Sequence, residues 1–179
     1  MSEKNITQII GLPRSRTAWL SVALFYGSCA AYHDASNPPG SCDAAEYLRR
    51  LNEGEWSDVV DCSSSLVVRH DLIKAADSNI IIIDRDADDA RDAFANHIRD
   101  PSLVRATWPI IERSFAELRR VFSRRIILEV KFEDLKKIEV IEKIQRAVCD
   151  GRGDNIDRYH IERLQKLNIQ ERKPSWAGD

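Results

Sequence analysis

The chain has 179 residues, of which 43% are apolar and 31% charged, with a net charge of −2. Those proportions suit one globular domain with a full core and argue against a disordered or fibrous chain. A pI near 6.1 also argues against a general nucleic-acid or membrane-surface binder, which needs a basic excess to meet phosphates; a local basic pocket stays open. No apolar run approaches membrane-spanning length, and the polar start Met1-Ser-Glu-Lys-Asn predicts no secretory leader. Cys29, Cys42, Cys62 and Cys149 form no CxxC pair and no zinc-ligand spacing with histidine. They read as free thiols of a reducing, cytoplasmic compartment.

In chain order, Ile6–Leu12 reads as a short strand ended by Pro13, which cannot donate to a ladder. Ser15–Gly27 is apolar around most of its surface, so it predicts a helix packed on a sheet. Cys29–His33 is a second strand, followed by the turn-rich loop Asp34–Ser41. Cys42–Leu51 predicts a helix capped by Ser41, Asp58–Cys62 a third strand, and Ser63–Ser65 the cap of a helix reaching Ala76. Asn79–Asp84 carries four consecutive isoleucines, the pattern of a central parallel strand buried on both faces. Helices over Asp86–His97 and from Pro101 to about Phe122 follow. Then come a fifth strand at Ile126–Phe132 and an amphipathic helix at Glu133–Cys149. After a break at Gly151–Gly153, a final helix is predicted over Asn155–Leu167. Residues 1–170 read as one domain and 171–179 as a loose tail. The alternation of strand and helix predicts a three-layer α/β fold with a mostly parallel sheet of about five strands. Ligands in such folds bind beyond the carboxyl ends of the strands, so the loops after Leu12, His33, Cys62, Asp84 and Phe132 should share one edge.

The loop Gly11-Leu-Pro-Arg-Ser-Arg-Thr17 lies between the first strand and the first helix. N–H groups at a helix start lack intrahelical partners and carry partial positive charge, so an anion is their natural ligand. Arg14 and Arg16 add full charges able to grip a phosphate, and Ser15 and Thr17 add hydroxyl donors. The nucleoside-triphosphate loop GxxxxGK[ST] is not matched: Arg16 stands at its second glycine and Thr17 at its lysine.

Pro13-Arg-Ser-Arg-Thr-Ala-Trp-Leu20 resembles the 5′-phosphosulfate loop of sulfotransferases, PKSGTTWL or PRSGTTWL, a family of P-loop-type fold. Arg16 replaces its glycine and Ala18 its second threonine. Ile80–Asp84 followed by Arg85-Asp-Ala-Asp-Asp89 resembles the family's 3′-phosphate segment. Arg85 stands at its arginine, while Ala87 replaces a proline and Ala93 a phosphate-binding serine. Val130-Lys-Phe-Glu-Asp-Leu135 is similar to its YEDL segment; the family's C-terminal RKG loop has Gly151-Arg-Gly153 as its nearest counterpart. The resemblance implies a transferase that takes 3′-phosphoadenosine 5′-phosphosulfate as co-substrate, without a metal, and passes its sulfuryl group to a hydroxyl or amine. Arg14, Ser15, Arg16 and Thr17 would hold the 5′-phosphosulfate, with Arg14 also stabilising charge in the transfer. Arg85 would hold the 3′-phosphate, and His33 or Asp34 would act as base. The implied partners are that nucleotide and a small-molecule or macromolecular acceptor.

Two other readings stay open at this stage. A P-loop kinase would need magnesium near Asp84 or Asp61. A non-catalytic descendant would bind a nucleotide or a protein, in keeping with the departures at Arg16, Ala18 and Ala93. Plain structural roles are also available: His33–Asp34 as a turn cap, Asp61 and Ser63 as helix caps, His70–Asp71 as surface, and Trp19 as core. The pairs Arg119-Arg120 and Arg124-Arg125 read as a solvated face.

Overall fold

The computed structural model describes residues 4–25, 29–36, 42–149 and 161–163. Five strands form one sheet: β1 (Asn5–Gly11), β2 (Cys29–His33), β3 (Asp58–Ser63), β4 (Asn79–Asp84) and β5 (Ile126–Lys131). Their spatial order is β2-β3-β1-β4-β5, and every adjacent pair is parallel. The helices are α1 (Thr17–Leu24), α2 (Ala44–Leu51), α3 (His70–Ala76), α4 (Ala87–Ile98), α5 (Pro101–Val121) and α6 (Ile138–Val148). Among the described residues, no helix is long and apolar enough to cross a membrane.

The isoleucine run explains the layering. Side chains alternate across a strand, so Ile80 and Ile82 enter one core while Ile81 and Ile83 enter the other. On the first face they meet Tyr47 and Leu51 of α2, Leu72 and Ile73 of α3, and Trp108 and Leu118 of α5. On the second they meet Leu20 and Leu24 of α1 and Ile141, Ile144 and Val148 of α6. All four isoleucines are fully buried, as a strand with helices on both sides requires. The three-layer α/β architecture read from the sequence is therefore the one found, with a wholly parallel sheet.

Several boundaries differ, each for a local reason. α1 starts at Thr17, two residues later than expected, because Arg16 is left-handed (φ 61°) and cannot continue a helix backwards. Asp43, not Ser41, caps α2 by accepting from Glu46 N; Ser41 lies outside the described residues. The stretch from Ser63 to Ala76 splits into a 3₁₀ turn, Ser65–Val68, and α3, with Arg69 in a non-helical conformation (φ −117°, ψ 59°) between them. The break falls at Arg69, whose Nη2 donates to Cys42 O at 2.9 Å. The span Glu133–Cys149 likewise splits: a 3₁₀ turn covers Phe132–Lys136, Lys137 is extended, and α6 follows.

Four side chains correct the sequence expectations. His70 packs edge-on against Phe122 and pairs with Ser114 O at 3.1 Å, so it is half-buried. Trp19 is half-buried and faces a cleft. Arg119 bridges Asp84 (2.9 Å) and Glu129, and Arg125 turns inward to donate to the carbonyls of Ser78 (2.7 Å) and Ile73 (3.0 Å). Most of the expected final helix, Gly151–Gly153 and the tail lie outside the described residues; Ile161–Arg163 is helical.

Candidate anion-binding site

Topology places the site. The connection from β1 runs to β2 on one side of the sheet, and that from β4 runs to β5 on the other. A crevice opens where adjacent strands send their connections in opposite directions, beyond their carboxyl ends. Residues 12–16 leave β1 at that point, and Asp84–Asp86 leave β4 beside them.

The loop is tightly wound against the sheet. Ser15 N donates to Leu12 O at 3.1 Å. A Cβ added to Gly11 would stand 2.9 Å from Ser15 Cβ and 3.1 Å from Ile83 Cβ, so glycine is what lets the loop fold back here. Ser15 is fully buried as a result. Arg14 (φ 70°) and Arg16 (φ 61°) are both left-handed, a conformation that costs a non-glycine residue roughly 1–2 kcal/mol. Arg16 thus adopts the backbone shape that suits the glycine of the sulfotransferase pattern. Among the described residues, five non-glycine residues have positive φ. Asp77 and Arg99 do so at helix C-termini, where that geometry is usual. The other three, Arg14, Arg16 and Asp34, all line one cleft. Strain confined to a cleft points to a functional site.

Three guanidinium-bearing residues meet at the loop. Arg85 Nη1 donates to Arg14 O at 2.5 Å, crossing from the end of β4 to the loop after β1. Arg85 and Arg16 both lie over the Phe132 ring, at 4.3 and 5.3 Å from its centre. Such stacking holds a cation while leaving its N–H groups available. Burial lowers the Arg85 pKa from its ordinary value; Asp89 and Glu133 oppose this, and the charges of Arg14 and Arg16 reinforce it. Ser15 Oγ and Arg85 Nε are both buried with no hydrogen-bond partner among the described residues. Buried polar atoms are nearly always paired; of the four unpaired ones among the described residues, Ser15 Oγ lies in this loop and Arg85 Nε at the adjoining end of β4. The first helical bond of α1 is donated by Leu20 N to Arg16 O, so the helix start presents its own N–H groups to the same space.

The second wall is the segment after β2. His33 Nε2 lies 3.3 Å from Asp34 Oδ2 and 3.5 Å from Thr17 Oγ1. Asp34 (φ 52°) is firmly held: Ser63 Oγ donates to its Oδ1 at 2.6 Å, and its N–H donates to Cys62 O at 3.3 Å. Ser65 joins Ser63 (2.8 Å) to Ser36 (2.7 Å) behind it. Between the two walls lies an open cleft of about 510 Å³, with Arg14, Arg16 and Thr17 on one side and His33 and Asp34 on the other. Trp19 from α1 and Phe94, His97 and Ile98 from α4 complete it.

Of the residues named from sequence, Arg14, Arg16, Thr17, His33 and Asp34 share this cleft. Ser15 supports it from beneath, and Arg85 adjoins it through the Arg14 carbonyl. The sequence pointed to Ser63 at the end of the third strand but not to Ser36 and Ser65 beside it, and it placed Phe132 at the end of a strand. Position after a strand end was the available signal for both.

Two acidic residues are engaged elsewhere. Asp84 pairs with Arg119. Asp61 is fully buried and accepts from Ala35 N (3.0 Å) and Tyr47 OH (2.8 Å). Among the described residues, no three His, Cys, Asp or Glu side chains gather as a metal site would require. Compared with known proteins, the chain matches no family model and no curated protein.

Proposed function

We propose that the protein is a sulfotransferase-like enzyme that binds 3′-phosphoadenosine 5′-phosphosulfate and passes its sulfuryl group to a hydroxyl or amine acceptor. The observation that carries this reading is the meeting of Arg14, Arg16 and Arg85 at the start of α1, across an open cleft from His33 and Asp34. Three cations and two orphaned donors suit a multiply charged, phosphate-bearing ligand. His33 and Asp34 supply a proton acceptor where a neutral acceptor molecule would sit.

In this reading the acceptor oxygen or nitrogen attacks sulfur, and the bond from sulfur to the 5′-phosphate oxygen breaks. The electron pair stays on that oxygen, giving 3′,5′-adenosine bisphosphate, and Arg14 and Arg16 stabilise its growing charge. The acceptor's proton goes to His33. Asp34 orients the imidazole, since its carboxylate is fixed by Ser63 and lies 3.3 Å from Nε2. The cationic loop does the charge stabilisation, so the proposed transfer uses no metal. A phosphoryl-transfer enzyme would need Asp84 or Asp61 beside a magnesium ion, and both are committed to other partners. Four buried cysteines that form no disulfide favour a reducing, cytoplasmic setting.

Calorimetric titration with 3′,5′-adenosine bisphosphate, run beside ATP with magnesium, tests the proposal. Tight bisphosphate binding, weakened by Arg14→Ala and Arg85→Ala, is expected. A preference for ATP with magnesium would replace the reading with a kinase. Bisphosphate binding without transfer to any acceptor would leave a non-catalytic nucleotide binder.

A further inference from the structure

We propose that Asp61 is a positioning residue, a buried carboxylate that latches the His33–Asp34 segment through a one-way chain of hydrogen bonds crossing the domain. The proposal rests on the functional reading above only for the use made of that segment.

The chain starts at Arg125, at the foot of β5. Arg125 Nη2 donates to Ser78 Oγ at 3.2 Å, and Ser78 Oγ donates to Gln8 Oε1 at 2.7 Å. Gln8 Nε2 donates to Tyr47 OH at 2.9 Å, and Tyr47 OH donates to Asp61 Oδ2 at 2.8 Å. Asp61 Oδ1 closes the chain by accepting from Ala35 N at 3.0 Å. Gln8, Tyr47 and Asp61 are fully buried and Ser78 nearly so. Guanidinium only donates, and Gln8 turns Oε1 to Ser78 and Nε2 to Tyr47, so in this arrangement each member donates onward. Such a chain ends naturally on a carboxylate, which only accepts. Its last contact is with the residue after Asp34, whose left-handed backbone (φ 52°) needs holding. Arg50 Nη1 grips the other side of the same peptide unit's residue, donating to Ala35 O at 2.9 Å.

The groups facing Asp61 are Tyr47 from α2, Gln8 of β1 behind it, Asp34 and the Ala35 N–H from the segment after β2, and Cys62 beside it on β3. Burial raises the Asp61 pKa to about 6, opposed by the bonds from Ala35 and Tyr47 and assisted by the Asp34 charge. A proton on Oδ2 would point at a phenol hydrogen, and one on Oδ1 at the Ala35 N–H. Reversing the chain would require Gln8 to turn its amide end for end and would leave Ser78 Oγ accepting from both Arg125 and Gln8, its own hydrogen stripped of the Gln8 acceptor. Both Tyr47 and Ala35 pack into the same core, but Tyr47 is held within helix α2 whereas Ala35 lies in a turn, so the turn gives way. The segment carrying His33 and Asp34 is therefore latched when Asp61 is charged and loosened when it is neutral.

Amide chemical shifts of the full chain, followed by NMR from about pH 8 to pH 5 with no ligand added, test this. In the wild type the Ala35 amide proton should titrate with a midpoint near 6. In Asp61→Asn that titration should vanish. In Tyr47→Phe its midpoint should rise, because a bond favouring the charged form is lost. A role confined to packing moves none of these midpoints. A flat Ala35 signal in the wild type, or an unchanged midpoint in Asp61→Asn, would overturn the latch. If both variants fail to fold, the wild-type Ala35 titration decides by itself. Failure to bind bisphosphate would overturn the functional reading and leave the latch standing; a flat Ala35 does the reverse.

Discussion

The two walls of the cleft are strained alike but completed differently. Both hold non-glycine residues in left-handed conformations: Arg14 and Arg16 on one side, Asp34 on the other. Around Asp34 the protein supplies every visible partner, through Ser63, Asp61 and Arg50. Around the arginine loop it leaves Ser15 Oγ and Arg85 Nε unpaired and brings like charges together. Under the proposed function, the wall finished by the protein serves proton transfer, and the wall left short of acceptors is stabilised when an anion binds.

The largest effect should come from the finished wall. The Asp61 pKa is raised from 3.8 to about 6 in the fold, so the folded state holds the proton more tightly than the unfolded chain. Stability from this group is present at low pH and lost as pH rises through about 6. Wild type should therefore lose ground to Asp61→Asn between about pH 4 and 7, by up to about 3 kcal/mol. Urea unfolding of both proteins across that range checks it. Next, Arg85→Ala should weaken bisphosphate binding roughly 10- to 100-fold, as expected for one charge-assisted bond, with little change in stability; calorimetry and thermal melts separate the two. Ser63→Ala should cost about 1 kcal/mol, seen in denaturant midpoints, and slow transfer while leaving bisphosphate affinity intact. Arg16→Gly should change stability by less than about 1 kcal/mol, since relieved backbone strain offsets the lost contact with Phe132. It should still weaken the anion site, which a bisphosphate titration reads.

The layered fold was legible because its signals are local and periodic. Four isoleucines in sequence can be buried only between two helical layers, and they are. The turn at Gly11–Thr17 between the first strand and the first helix was legible as well, and strand order then explains why the loops after β1, β2 and β4 meet. What the sequence hid were long-range pairings. Nothing near Arg125 shows that it turns inward to Ser78, or that Gln8 and Tyr47 carry its hydrogen bonding to Asp61. Phe132 could not be seen as the platform under Arg85 and Arg16, because three separate segments make that stack. The splits at Arg69 and Lys137 were hidden for a related reason: tertiary contacts, such as Arg69 Nη2 to Cys42 O at 2.9 Å, outweigh local helix preference there.

The most direct test of the contrast between the walls is an NMR titration of the chain with 3′,5′-adenosine bisphosphate at neutral pH, following backbone amides and the Arg85 Nε–H. The account predicts large shifts for Arg16 through Trp19 and for Arg85 Nε–H as the orphaned donors gain an acceptor, with Ala35 and Ser36 nearly still. Shifts confined to Ala35 and Ser36, or a silent loop at saturating bisphosphate, would contradict it.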